Sequence, residues 1–174
     1  VKGRAVRKRF GGRGRLLASC IGSVLLLLTL PTHAVAQANP PAPSSAIIAS
    51  TRRVQHVVDD ARKRLSIPQQ VVVSIVAQDP LLVSVERRRD QPGAFTLSFE
   101  RDFLDGLSEG ELTAVVAHEL GHVWIFTHHP YLQTEELANE VALRLVSRDA
   151  LKSVYDKVWQ RTGVKGDLAY LPQK

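Results

Sequence analysis

The sequence predicts an α+β domain: an N-terminal helix, a small antiparallel three-stranded sheet packed on a central helix, and further C-terminal helices. Three observations carry this prediction. Apolar residues first recur at helical spacing, three short β-branched runs bounded by turn residues follow, and helical spacing then returns. Ile47, Ile48, Val54, Val57, Val58, Ala61 and Leu65 form the first stripe, and His56 rides on that helix as a surface or partly buried residue. Residues 71–77 and 81–86 read as strands separated by Gln78-Asp79-Pro80, and a third strand, 94–99, follows Asp90-Gln91-Pro92-Gly93. A short helix covers 102–107. Ser108 with Glu111 three residues on is a capping box that opens the central helix, whose amphipathic lead-in from Glu111 to Ala117 buries one face. His128-His129-Pro130 lies in a turn over 127–134. Thr134 then caps a helix over 135–148 with Leu137, Val141, Leu145 and Val146 as its buried stripe, and a last helix covers 150–160.

The first thirty-six residues have a different character. Lys2, Arg4, Arg7, Lys8, Arg9, Arg13 and Arg15 make a positive region without an acidic residue, Leu16 to Leu30 is apolar, and Ala34-Val35-Ala36 is an A-x-A cleavage site. This is the pattern of a secretory signal peptide. Its apolar run is shorter than the ~20 residues of a spanning helix, and Pro31 closes it. Leu17-Ala18-Ser19-Cys20 resembles a lipoprotein box only superficially, because the apolar stretch follows the cysteine. The expected organisation is a signal peptide at 1–36, a Pro-rich flexible linker at 37–46 and one domain at 47–174. The expected location is periplasmic or secreted, with the membrane met only transiently through the signal.

Charge reads differently once this segment is set aside. The chain carries a formal +6, but seven of its 23 Lys and Arg residues lie in the signal, leaving sixteen against seventeen Asp and Glu. A near-neutral domain has no electrostatic footprint for nucleic acid. Arg87-Arg88-Arg89, the one dense basic cluster left, reads as a solvated strand end. The single cysteine, Cys20, leaves with the signal, so the exported domain has no disulfide and relies on its core.

Residues 118–122 read His-Glu-Leu-Gly-His within the central helix. Positions four apart lie on one helix face, so His118 and His122 can share one metal ion, and Glu119 leans over the same ion. Two neutral imidazoles suit Zn2+, and a carboxylate beside a zinc-bound water is a proton acceptor. A catalytic zinc needs a third protein ligand. The downstream candidates are His128, His129, Glu135, Glu136 and Glu140. His128 has the offset used by metzincins, but those enzymes break the helix at a glycine where this chain has Ile125, and they place a methionine turn under the metal. This chain has no methionine. A compact αα-hairpin instead returns the first turn of the following helix to the metal, with Glu135 the best placed ligand and Glu136 the alternative.

The stretch from Phe95 to His122, with Glu111-Leu112-Thr113-Ala114-Val115-Val116-Ala117-His118-Glu119-Leu120-Gly121-His122 at its end, resembles the core of the HtpX and CAAX-prenyl-protease type of gluzincin. That resemblance extends to Arg148 and covers about a third of the chain. It implies a zincin-like fold, Glu135 as third zinc ligand, and a residue four positions on that supports a zinc-binding histidine. The family has Asp there, and this chain has Asn139, an acceptor without charge. The Glu135-x-x-Ala138-Asn139 form is also similar to ImmA/IrrE-like peptidases.

The expected activity is an exported zinc endopeptidase that hydrolyses peptide bonds through zinc-bound water, with Glu119 as general base and His118, His122 and Glu135 as ligands. Its partner is a polypeptide substrate, and the family resemblance implies a role in envelope protein quality control. The third strand, if it lies at the sheet edge, can pair with an extended peptide. His128, His129 and Tyr131 are near enough in sequence to serve as oxyanion donor, with none singled out. Two other readings are a catalytically silent zinc-binding domain acting through a protein partner, and an accessory subunit whose cleft a partner completes.

Overall fold

The structure is a computed structural model, and it describes residues 44–166 and 170–171. The signal peptide and residues 37–43 of the expected linker lie outside the described residues. Eight elements follow in order: α1 (Ser45–Arg64), β1 (Val71–Val76), β2 (Val83–Arg87), β3 (Phe95–Glu100), α2 (Arg101–Asp105), α3 (Glu109–His128), α4 (Glu135–Ala142) and α5 (Arg148–Thr162). The α+β class, with five helices and one three-stranded sheet, is as the sequence predicts. Helix α1 begins two residues inside the expected linker, because the Ser44 side chain caps it by accepting from the Ile47 N–H. No helix among the described residues is long and apolar enough to cross a membrane.

The sheet is mixed, which corrects the antiparallel expectation. Its order is β1-β3-β2, with β1 parallel and β2 antiparallel to β3. The third strand is therefore central, so the condition for its pairing with a peptide is not met, and the edges are β1 and β2. Composition explains the order. Strand β3 buries Phe95, Leu97 and Phe99, and a strand so apolar gains most from neighbours on both sides. Strand β2 carries Ser84, Glu86 and Arg87 and is only partly buried, as an edge strand tolerates.

The two edges are treated differently. At β1, the Gln55 side chain of α1 donates to the Val71 carbonyl at 2.9 Å and accepts from the Val73 N–H at 2.9 Å. That amide occupies outer backbone groups of β1, so this edge is covered. Strand β2 has β3 on one side and, among the described residues, no strand on the other.

Helix α3 is the axis of the domain. It packs against α1, α4, α5 and β2, and Leu112, Ala114, Val116, Ala117 and Leu120 are fully buried. The expected one-sided burial is corrected: a helix apolar on most sides takes the centre of the core. Its N-terminus is the expected capping box, with Ser108 accepting from the Glu111 N–H and the Glu111 carboxylate accepting from the Ser108 N–H at 2.8 Å. Helix α4 stops at Ala142 rather than running to 148. Tight turns close over Leu143–Val146, and Ser147 caps a new helix, α5, by accepting from the Ala150 N–H.

Glu111 also ties α5 to α3. Burial pushes its carboxyl up, but hydrogen bonds from Lys157, Ser153 and Ser108 outweigh this and hold it at about 2. A carboxyl held below its unfolded value contributes stability above the unfolded pKa, and that contribution is lost as pH falls through the folded one. Glu111→Gln is therefore expected to cost roughly 1.5–3 kcal/mol at neutral pH by urea unfolding, the range for charge-assisted hydrogen bonds. The gap between variant and wild type should close as pH drops from about 4.5 toward 2.

Candidate metal centre

The His-Glu-Leu-Gly-His segment occupies the end of the third turn and the fourth turn of α3. Gly121 on its inner face lets α4 cross backbone against backbone. A Cβ at Gly121 would lie 2.5 Å from the Ala138 carbonyl oxygen and 2.9 Å from the Ala138 Cα. This close crossing carries the start of α4 onto the side of α3 that bears His118 and His122. Thr134 caps α4 by accepting from the Leu137 N–H, so Glu135 opens the first turn. Of the acidic candidates, Glu135 is the one that meets both imidazoles, while Glu136 and Glu140 stand apart from the cluster.

The three side chains converge on one point, each offering a ligand atom within 4.8 Å of the others. The Nε2 atoms of His118 and His122 are 3.2 Å apart, His118 Nε2 is 3.2 Å from Glu135 Oε2, and His122 Nε2 is 3.5 Å from Glu135 Oε1. Zinc bonds of about 2.0–2.1 Å to tetrahedral ligands place the donors roughly 3.3–3.5 Å apart. The residues present fit that ion. They offer three of four positions, which is the donor set of a site that keeps one position for water or substrate.

Hydrogen bonds orient both rings. His118 Nδ1 is 2.8 Å from Asn139 Oδ1, and His122 Nδ1 is 3.3 Å from Gln133 Oε1. With Nδ1–H donating to these amide oxygens, each ring when neutral has its lone pair on Nε2, toward the triangle, and His118 when protonated donates from Nε2 to Glu135. Gln133 is held in turn by donating its own amide N–H to the His122 carbonyl at 3.2 Å. Burial lowers the His118 pKa, but the Glu135 hydrogen bond and the charges of Glu119 and Glu135 more than offset it, leaving a raised value. Burial and the neighbouring His118 lower that of His122. Glu135 is lowered, chiefly by its hydrogen bond to His118.

Glu119 is buried, at 8% exposure. Burial raises its carboxyl to about 7, against the pull of His118 and with help from the charges of Glu135 and Asp79. It lines, with all three triangle residues, a cleft of about 600 Å³. Consecutive residues from Val83 to Arg87 line the same cleft. Side chains alternate between the faces of a strand, so an unbroken run means that the backbone edge of β2 fronts the cleft. Val154 and Val158 of α5 and Phe126 of α3 add apolar wall.

The other sequence candidates lie elsewhere. His128 stacks on the Trp124 ring at 4.3 Å and bonds the Trp124 carbonyl, while Tyr131 is 97% exposed. None of His128, His129 and Tyr131 lines the cleft. Tyr155 of α5 does, with its ring 6.1 Å from His118 and its hydroxyl pushed up to about 12 by burial. Sequence reasoning missed Tyr155 and Gln133. Tyr155 has no motif spacing to the metal residues, whereas Gln133, immediately before the Thr134 cap, sits at a position that could have been inspected.

No protein-family model matches the sequence, and no curated protein matches it. Among solved structures, the chain is similar to the crystal structure of the metallopeptidase zymogen abylysin of Pyrococcus abyssi. The two are 18% identical with a TM-score of 0.46, over 66% of this chain and 99% of that one.

The helix crossing gives a direct expectation. Gly121→Ala must push α4 off α3, a small-to-large change that typically costs about 1–3 kcal/mol. Thermal unfolding should register that loss, and zinc titration of the still-folded variant should show weaker binding because Glu135 and Asn139 both ride on α4.

Proposed function

We propose that this chain is a zinc-dependent peptidase acting on extended polypeptide. The observation that carries the proposal is the Nε2–Nε2–carboxylate triangle, with edges of 3.2, 3.2 and 3.5 Å, set in a cleft beside a buried glutamate. His118, His122 and Glu135 would hold the ion. When bound, zinc supplies Lewis acidity, polarising the scissile carbonyl and acidifying water toward neutral pH.

The chain's own residues supply the rest. A general base works best with a pKa near the working pH, and burial brings Glu119 into that range. Its carboxylate takes a proton from the attacking water and passes it to the departing amine nitrogen. The open edge of β2 supports substrate binding by strand addition, which selects extended chain over folded domains. The apolar walls from Phe126, Val154 and Val158 favour apolar side chains beside the scissile bond and exclude water from it.

Export is part of the proposal. It rests on the N-terminal basic and apolar runs and on Ala34-Val35-Ala36. An exported peptidase that takes extended chain fits removal of unfolded envelope proteins, the role implied by the resemblance to the HtpX type.

Glu119→Gln tests the chemistry. The purified variant should bind one zinc per chain by elemental analysis and lose roughly 10²–10⁴-fold in turnover of an unfolded protein substrate. Turnover equal to wild type would sink the mechanism. Removal of zinc by a chelator should abolish wild-type cleavage, and added zinc should restore it.

A further inference from the structure

Asn139 is wholly buried, and every polar atom of its side chain is engaged. The amide nitrogen donates to the Tyr155 hydroxyl at 2.9 Å and to the backbone carbonyl of Tyr170 at 2.8 Å. The amide oxygen faces His118 Nδ1 at 2.8 Å and lies 3.3 Å from the Tyr155 hydroxyl. The Tyr170 partner is a main-chain carbonyl, which can only accept. The group facing it must therefore be the –NH2, and this settles which way the amide points. Its oxygen is left for His118, whose Nδ1 must then carry the proton. In the neutral ring the lone pair of His118 is then on Nε2, toward His122 and Glu135. Leu171, next to Tyr170, is buried at 1% exposure and anchors this part of the chain in the core.

We infer that the C-terminal segment at Tyr170–Leu171 is a working part of the metal centre. Through the Tyr170 carbonyl and the Tyr155 hydroxyl it orients the Asn139 amide and so locks the metal-binding tautomer of His118. Asn139, Tyr155 and Tyr170 are positioning residues. This inference rests on the metal-site reading only for its consequence, since the orientation itself is a property of the metal-free chain.

The same geometry explains the amide where the resembled family has a carboxylate. A carboxylate at 139 would set two acceptors against each other, its oxygen and the Tyr170 carbonyl, at a separation that is now 2.8 Å. A negative charge that ordinarily strengthens a histidine ligand would here expel the C-terminal segment. Tautomer control without a formal charge follows from an acceptor that cannot change sides.

Three readouts test this on the purified chain, with zinc alone as the metal probe. Long-range proton–nitrogen spectra of the metal-free wild type, with His118 neutral, should show the Nδ1–H tautomer. Asn139→Asp should weaken zinc binding about tenfold, the lower end for lost support of a ligand. The same variant should speed trypsin cleavage after the exposed Lys165 several-fold as the segment releases. Should Asn139→Asp fail to fold, Tyr155→Phe keeps the Tyr170 bond and removes one amide acceptor. It should lower zinc affinity a few-fold with cleavage after Lys165 unchanged.

An Nε2–H tautomer in the wild type would overturn the inference. So would an Asn139→Asp chain that binds zinc more tightly while Lys165 stays protected, or a Tyr155→Phe chain with wild-type zinc affinity. A wild type that binds no zinc, yet shows the Nδ1–H tautomer and releases its C-terminal segment on Asn139→Asp, would defeat the peptidase reading and the metal role inferred here, and leave standing only the clamp that orients His118.

Discussion

Two helices meet without side chains between them where Gly121 faces Ala138, and the site depends on that contact. Most helix pairs are kept 8–10 Å apart by the residues at their crossing. Here the absence of a Cβ on α3 lets the Ala138 backbone rest where a methyl group would otherwise sit. Glu135 is three residues before Ala138 and Asn139 is one after, so the crossing sets both. One presents a carboxylate to the Nε2 atoms, and the other an amide to Nδ1 of His118. A wider crossing would withdraw both contacts together, because a single rigid turn carries them.

Placing ionisable groups in the middle of a core helix has a cost, and the structure offsets it locally. His118 and Glu119 sit among fully buried neighbours such as Val116, Ala117 and Leu120. A buried polar group without a partner is destabilising by ~1–3 kcal/mol. Both nitrogens of His118 are engaged, one by Asn139 and the other by Glu135 and His122. Glu119 is left the most exposed to desolvation, and its raised pKa records that burden. In the proposed reaction, the same burial that penalises its charge would tune it for moving protons near neutral pH. Stability and chemistry therefore pull against each other at this residue, and α5, tied down through Glu111 and Lys157, helps to keep the surrounding packing intact.

What was legible in the sequence follows from the range of the interactions involved. The pairing of His118 with His122 is local, set by the helical repeat, and Ser108-x-x-Glu111 marked the helix start because a capping box is local too. Glu135 was within reach because a short turn and the Thr134 cap constrain where a hairpin returns. Strand order was not legible. Which strand lies between the others depends on the burial of Phe95, Leu97 and Phe99 against helices distant in sequence, and no local pattern encodes that competition. The end of α4 was missed because Leu145 and Val146 continue its apolar period, while the Ser147 cap of the next helix competes for the same residues. The clamp on Asn139 was the least legible. One of its members is a main-chain carbonyl, which any residue type could supply.

The asymmetry between the two sheet edges bears on what the cleft can accept. An uncovered edge invites pairing with any extended chain, and proteins usually suppress it. Here β1 is covered by Gln55, whose single amide serves an acceptor and a donor of the strand at once. Strand β2 has no such cover among the described residues, yet its far end is not apolar: Glu86 and Arg87 stand there, with the Arg87 guanidinium 4.7 Å over the Phe126 ring. Charged side chains at an edge discourage indiscriminate strand addition while leaving the backbone available. On the proposed function, a chain that pairs with β2 would have to be extended and satisfy the cleft walls with its side chains. Under that proposal, selection would fall on conformation first and on side-chain chemistry second.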